Sequence, residues 1–213
     1  MAMVPYVIRQ GDHLVKLATR MGFEVDAVWG DSKNADLRAK RPDFHQLCAG
    51  DILYVPERDA EWHSVSPGST ASFATKVQGM KISASFSRAG KPLANAACVV
   101  HGLPAPNEMT TDGDGKLTFT APVNVGQVTV EFKKPHFIQR LKLGHLDPID
   151  EPSGVYQRLQ NLHVQSRQGP LPAEFDPTAM GEALASFQQA QGLEVTGEVD
   201  DATRDKLRAS HGS

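Results

Sequence analysis

Two cysteines, eight histidines and 25 carboxylate side chains are the groups of this 213-residue chain that could do covalent, acid–base or metal chemistry. A nucleophilic thiol needs a pKa lowered by a nearby cation or helix N-terminus. Cys98 instead lies in the apolar run Ala96-Ala97-Cys98-Val99-Val100, where burial raises that pKa. His101, three residues on, points to the opposite face of a strand and forms no local Cys–His pair. Cys48 and Cys98 are far apart and show no CxxC spacing, so two free, partly buried thiols are expected. The histidines stand at 13, 45, 63, 101, 136, 145, 163 and 211, with no HxH or HExxH spacing. No metal site and no cofactor is therefore expected. Asp112-Gly113-Asp114-Gly115 begins like a calcium loop, but position 12 is Val123, where such a loop needs Glu. A hairpin turn is the expectation there. A lysozyme-type carboxylate pair has no spacing signature that sequence would reveal, but no carboxylate here sits in a long helical domain able to hold a glycan cleft. The expectation is a protein that is not an enzyme.

Other side chains suit binding. Trp29, Tyr54 and Trp62 could stack on sugar rings, although Trp29 falls on the apolar side of a short helical pattern, where core packing competes. Asp12 and His13 follow Gly11 at a turn. Asp12 is open to two roles, ligand contact or capping of the next helix.

These residues are positioned by four stretches. Residues 4–57 read as strand, helix, helix, strand. Tyr6-Val7-Ile8 begins the pattern, Leu14, Leu17, Ala18 and Met21 share one helical face, and Gly22 stands where a helix ends. Val25, Val28 and Trp29 mark a second helix, residues 30–46 are polar, and Ile52-Leu53-Tyr54-Val55 is a strand stopped by Pro56. Residues 58–75 read as a linker, small and polar around Ser64-Val65-Ser66-Pro67-Gly68. Residues 76–146 alternate with period two in short runs between turns, which predicts a β-sandwich. Residues 147–213 are helical, behind the breakers Asp147-Pro148 and Glu151-Pro152-Ser153-Gly154. Val155, Leu159 and Leu162 make one stripe and Met180, Leu184 and Phe187 another. Asp176-Pro177 starts the second helix, Gly192 closes it, and Asp200 or Asp201 caps a third that carries Leu207. The fold class expected is α+β and multidomain: a βααβ module, a central all-β sandwich and a C-terminal three-helix bundle.

Net charge is −3 and no basic cluster is interleaved with aromatics, so nucleic acid is not an expected partner. No window approaches the roughly 18 apolar residues of a membrane-spanning helix, so no membrane insertion is expected. The N-terminus lacks a basic stretch followed by an apolar one. The expected location is cytoplasmic as synthesised, with delivery to the periplasm by a signal-independent route.

Three family resemblances emerge from these motifs. Tyr6-Val7-Ile8, Gly11-Asp12-His13-Leu14, Leu17-Ala18 and the close Leu47-Cys48-Ala49-Gly50-Asp51-Ile52-Leu53-Tyr54-Val55-Pro56 resemble the LysM family. His13 replaces its usual Thr, Ala49 its usual Pro, and residues 31–46 are longer than usual. The resemblance implies a sugar groove between the loops after the first strand and before the second. Its ligand-binding residues would be Gly11, Asp12, His13, Leu14, Leu47, Gly50 and Asp51. Leu159-Gln160-Asn161-Leu162, Ala183-Leu184-Ala185-Ser186-Phe187-Gln188, Gly192-Leu193-Glu194-Val195-Thr196-Gly197, Thr203 and Leu207 resemble the three-helix peptidoglycan-binding family. Gly90-Lys91-Pro92-Leu93-Ala94-Asn95-Ala96, with the turn at 111–116, is similar to transthyretin-like and Ig-like spacer modules. Together the resemblances imply a non-catalytic binder of peptidoglycan or its fragments. The alternative they imply is an accessory protein of a type VI-like contractile secretion system that docks on secretion-machine proteins.

Overall fold

A computed structural model describes residues 2–57, 64, 66–70, 72, 77–88, 90–104 and 108–212. Trp62 and much of the 58–75 linker lie outside the described residues. The chain is of mixed α and β structure, with a β-rich middle and helices at its C-terminal end. It divides into two compact units, Met1–His45 with Gly50–His145, and Gln46–Ala49 with Leu146–Ser213.

In the first unit, β1 (Met3–Val7) and β2 (Ile52–Pro56) pair antiparallel, with Tyr6 opposite Leu53. Between them lie α1 (Leu14–Met21) and α2 (Val25–Gly30). The face that spacing assigns to α1 is buried at Leu14, Leu17 and Ala18, and Gly22 closes the helix with φ 74°. A side chain at position 22 would meet the steric penalty of the left-handed region, which glycine avoids.

Two expectations for this segment are corrected. Residues 31–46, read as polar and without elements, hold a 3-10 turn (Ser32–Asn34) and a third helix, α3 (Ala35–Lys40). Leu37 alone is buried in α3, so no apolar stripe announces it. A single amide ties the stretch to β2. Asn34 Nδ2 donates to the carbonyls of Val28 and Tyr54 at 2.8 and 2.9 Å, and Asn34 Oδ1 accepts the Tyr54 N–H at 2.8 Å. The second correction concerns the start of α1. Its N-cap is His13, whose Nδ1 accepts the Lys16 N–H at 3.4 Å. Asp12 does not cap α1. Its carboxylate accepts the Tyr6 hydroxyl at 2.7 Å and the Arg9 N–H at 3.2 Å.

The β-rich part of this unit contains β3 (Gly79–Ser85), β4 (Ser87–Arg88), β5 (Lys91–Pro92), β6 (Ala97–His101), β7 (Glu108–Thr110), β8 (Lys116–Pro122), β9 (Gln127–Phe132) and β10 (Phe137–Lys142). A four-stranded antiparallel sheet runs β10-β9-β6-β7, and β3 pairs with β8. Alternate residues of both sheets meet in one core. Leu117, Phe119 and Ala121 of β8 join Cys98 and Val100 of β6 and Val128, Val130 and Phe132 of β9. The β4-β5 hairpin and the Asp112 turn bracket that core. Asp112 Oδ1 accepts the N–H groups of Asp114 and Lys116 at 3.0 and 2.8 Å, so Asp112 organises a tight turn between strands.

The second unit contains α4 (Pro152–Asn161), the short hairpin β11 (Gln165–Ser166) with β12 (Gly169–Pro170), α5 (Pro177–Gln191) and α6 (Asp201–His211). Pro152, read as a breaker, is instead in the first turn of α4. Proline suits that place because its missing N–H has no helical partner there anyway. Gly154 belongs to the same helix and is buried, with no room for a side chain. A Cβ there would lie 2.0 Å from the Pro148 carbonyl oxygen. Val155, Tyr156 and Leu159 of α4 pack with Met180, Ala183, Leu184 and Phe187 of α5 and Leu207 of α6. Asp176 caps α5 by accepting the N–H groups of Thr178 and Ala179, and Asp200 caps α6 by accepting that of Thr203.

Candidate functional site

The seven residues implied by the LysM resemblance divide sharply by exposure. Gly11, Asp12, His13, Leu14, Leu47 and Asp51 are buried, and Gly50 is exposed. The backbone brings the 8–14 loop beside 50–51, because the Ile8 N–H donates to the Asp51 carbonyl and the Gly50 N–H to the Ile8 carbonyl, both at 2.9 Å.

The polar members of this set already have partners inside the unit. Asp51 is held by Arg41, with Nε to Oδ2 at 2.9 Å, and by Lys40 at 3.3 Å. The Gly11 carbonyl accepts Lys16 Nζ at 2.7 Å. Burial, then the neighbouring charges of His45 and Lys16, lower the His13 pKa to about 4, so its ring is neutral at neutral pH. Residues 144–145 of the same unit lie against this loop. Gln10 Nε2 donates to the His145 carbonyl at 2.8 Å, and a Cβ at Gly11 would come within 2.8 Å of His145 Nε2. Among the stacking candidates, Trp29 is half-buried and meets Phe44 edge-on at 6.0 Å. Tyr54 is half-buried, with Lys33 Nζ 5.5 Å from its ring centre.

Neither Cys48 nor Cys98 is in a disulfide. Cys98 is buried, and burial raises its pKa, which disfavours the thiolate a nucleophile needs. His101 lies on the outer face and pairs with Glu131 at 3.0 Å. Among the described residues, no cluster of three or more His, Cys, Asp or Glu is placed to hold a metal ion.

The second unit has an open groove of about 410 Å³ that sequence reading did not find. Three separated segments line it. Pro152 comes from the start of α4, Phe175 and Pro177 with Met180 and Leu184 from the approach to α5 and its first turns, and Glu198 and Val199 from the loop before α6. Its glycines, Gly181 and Gly197, let two backbones approach, and a Cβ at Gly197 would lie 3.2 Å from the Gly181 carbonyl oxygen. Phe175 is 47% exposed, unusual for so large an apolar side chain. The sequence carried one signal of it, an apolar ring in a Pro- and acid-rich loop. The convergence of the three segments had none.

Residues 155–207 match the family described as "Putative peptidoglycan binding domain". No curated protein and no solved structure matches the chain. The matched residues begin in α4 and end in α6, so they span the three packed helices. The match supports a C-terminal helical peptidoglycan-binding module, with peptidoglycan as its suggested partner. Among the described residues, no helix is long and apolar enough to cross a membrane.

Proposed function

We propose that this chain is a non-catalytic peptidoglycan-binding protein whose C-terminal helical module makes the principal contact with the wall. The observation that carries this reading is the family match over 155–207, which coincides with one packed core and one open groove. The absence of enzymatic activity belongs to the proposal and is supported by the buried, high-pKa Cys98 thiol. Co-sedimentation of the full chain with purified sacculi tests the reading. Pelleting with sacculi and not without them is the expected outcome. A chain that stays in the supernatant at every sacculus concentration would overturn the proposal.

A second reading, for the N-terminal segment alone, is that its LysM-like fold serves as a protein-docking adaptor of a type VI-like contractile machine. It is supported by the burial of six of the seven implied sugar-contact residues. It is supported also by the outer face of the β1-β2 ribbon, where Val7 and Ile52 stand opposite each other, 58% and 52% exposed. Paired exposed aliphatics favour a protein surface over a hydroxyl-rich glycan.

A further inference from the structure

We propose, building on the peptidoglycan reading above, that the groove at the start of α5 takes the N-acetylated glycan strand of the wall and not its peptide stem. The two parts of the polymer differ in chemistry. The glycan strand is uncharged, with apolar C–H faces on its sugar rings and a methyl on each acetamido group. The stem peptide carries several carboxylates. The groove is built for the first of these.

Its walls are apolar and stiff. Phe175 stands between Glu174 and Asp176 with its ring half in solvent, and its position is fixed by Tyr156 beneath it. The two rings meet edge-on, with centres 5.3 Å apart. The Tyr156 hydroxyl lies 3.0 and 3.1 Å from the carbonyl oxygens of Pro172 and Glu174, which pins the backbone that presents Phe175. An aromatic face held in place without ordering cost is what a sugar's C–H face stacks on. Pro152 and Pro177 extend the rigid rim, and Met180, Leu184 and Val199 offer a lining for acetamido methyls. Gly181 and Gly197 pack backbone to backbone, a Cβ at Gly197 lying 3.2 Å from the Gly181 carbonyl oxygen, which ties the 196–198 side of the groove to α5.

Charge selects between the two ligands. Glu198 is the charged residue among those lining the groove, and its carboxylate can accept a sugar hydroxyl or an acetamido N–H. Residues 146–213 carry eleven Asp and Glu against five Lys and Arg. An anionic peptide would meet like charge within the roughly 8 Å over which salt leaves such repulsion effective. A neutral glycan would not.

The test uses the full chain and three probes: intact sacculi, glycan strands freed of peptide by an amidase with the lactyl carboxylates so exposed capped as methylamides to keep the strand uncharged, and free stem peptide. Stripped strands should bind within about threefold of sacculi per disaccharide, and stem peptide should not bind. Phe175→Ala should weaken strand binding by about tenfold or more while the chain stays folded by circular dichroism at the assay temperature, because the ring is about half exposed. Glu198→Gln should weaken it less, in the same direction. Binding to sacculi that disappears when the peptide is stripped would overturn the glycan assignment and leave the peptidoglycan reading standing. Strand binding untouched by both substitutions would overturn the groove as its site. Binding to none of the probes would overturn both.

Discussion

Gln188 Oε1 accepts the Gly197 N–H at 2.9 Å, and through that bond α5 holds the loop that borders the groove. The same oxygen accepts the Thr196 N–H at 3.0 Å. On the other side of the amide, Nε2 lies 2.9 Å from the Glu198 carbonyl and 3.0 Å from Thr203 Oγ1. One fully buried side chain thus joins α5, the 196–198 loop and the first turn of α6. Leucine at this position would fill similar space but leave those backbone groups without their partner. Gln188→Leu should cost about 2–4 kcal/mol, since several bonds within one network are lost together. Urea denaturation of the full chain checks this. An unchanged unfolding midpoint would mean the loop is held by something else.

Gln188 also shows what the sequence could and could not tell. The Phe187-Gln188 pair was legible as a motif, and so were the helix start at Asp176, the last helix start to within Asp200 or Asp201, of which Asp200 is the cap, and the left-handed glycines Gly22 and Gly192. These are local features, set by spacing and by backbone sterics within a few residues. What sequence reading missed depends on side-chain contacts that no periodicity announces, most of them across long separations. α3 was hidden because its one buried residue gives no periodicity, and it is placed by Asn34 reaching β2 across 20 residues of chain. Asp12 looks like a cap in sequence, yet Tyr6 and Arg9 claim its carboxylate and leave the role to His13. The groove was invisible for the same reason, since Pro152, Phe175 and Glu198 meet only once the helices pack.

Asp51 is the residue of the implied sugar site whose structural role is the most easily measured. Both Asp51 and Arg41 are buried, and the guanidinium reaches the carboxylate through two nitrogens, at 2.9 and 3.3 Å. Removing one partner strands the other charge in a poorly solvated place, which costs more than the pair itself contributes. Asp51→Ala should therefore destabilise the chain by about 3–5 kcal/mol. The double change Asp51→Ala with Arg41→Met should recover much of that loss relative to Asp51→Ala, because it leaves no orphaned charge, and Arg41→Met alone completes the cycle. Chemical denaturation of the four proteins in this cycle decides the matter. Additive losses in the double variant would show that the two residues are not coupled.

His13 should make stability depend on pH in a defined window. In the folded chain its pKa is lowered to about 4 by burial, then by His45 and Lys16, against the opposing pull of Asp12. In the unfolded chain an imidazole titrates near its ordinary value of about 6.5. Between those values the unfolded state binds a proton that the folded state refuses, so stability is complete above about pH 6.5 and declines as pH falls toward 4. The decline has a local cause as well. The Nδ1 atom caps α1 by accepting the Lys16 N–H, and a protonated Nδ1 is a donor that cannot accept it. The loss attributable to His13 across the window should be on the order of 2 kcal/mol. His13→Asn keeps a capping acceptor and removes the titration, so its stability should fall less between pH 7 and 4.5 than that of the parent chain. Urea midpoints measured along this range for both proteins provide the comparison. Parallel profiles would show that His13 does not carry the pH dependence.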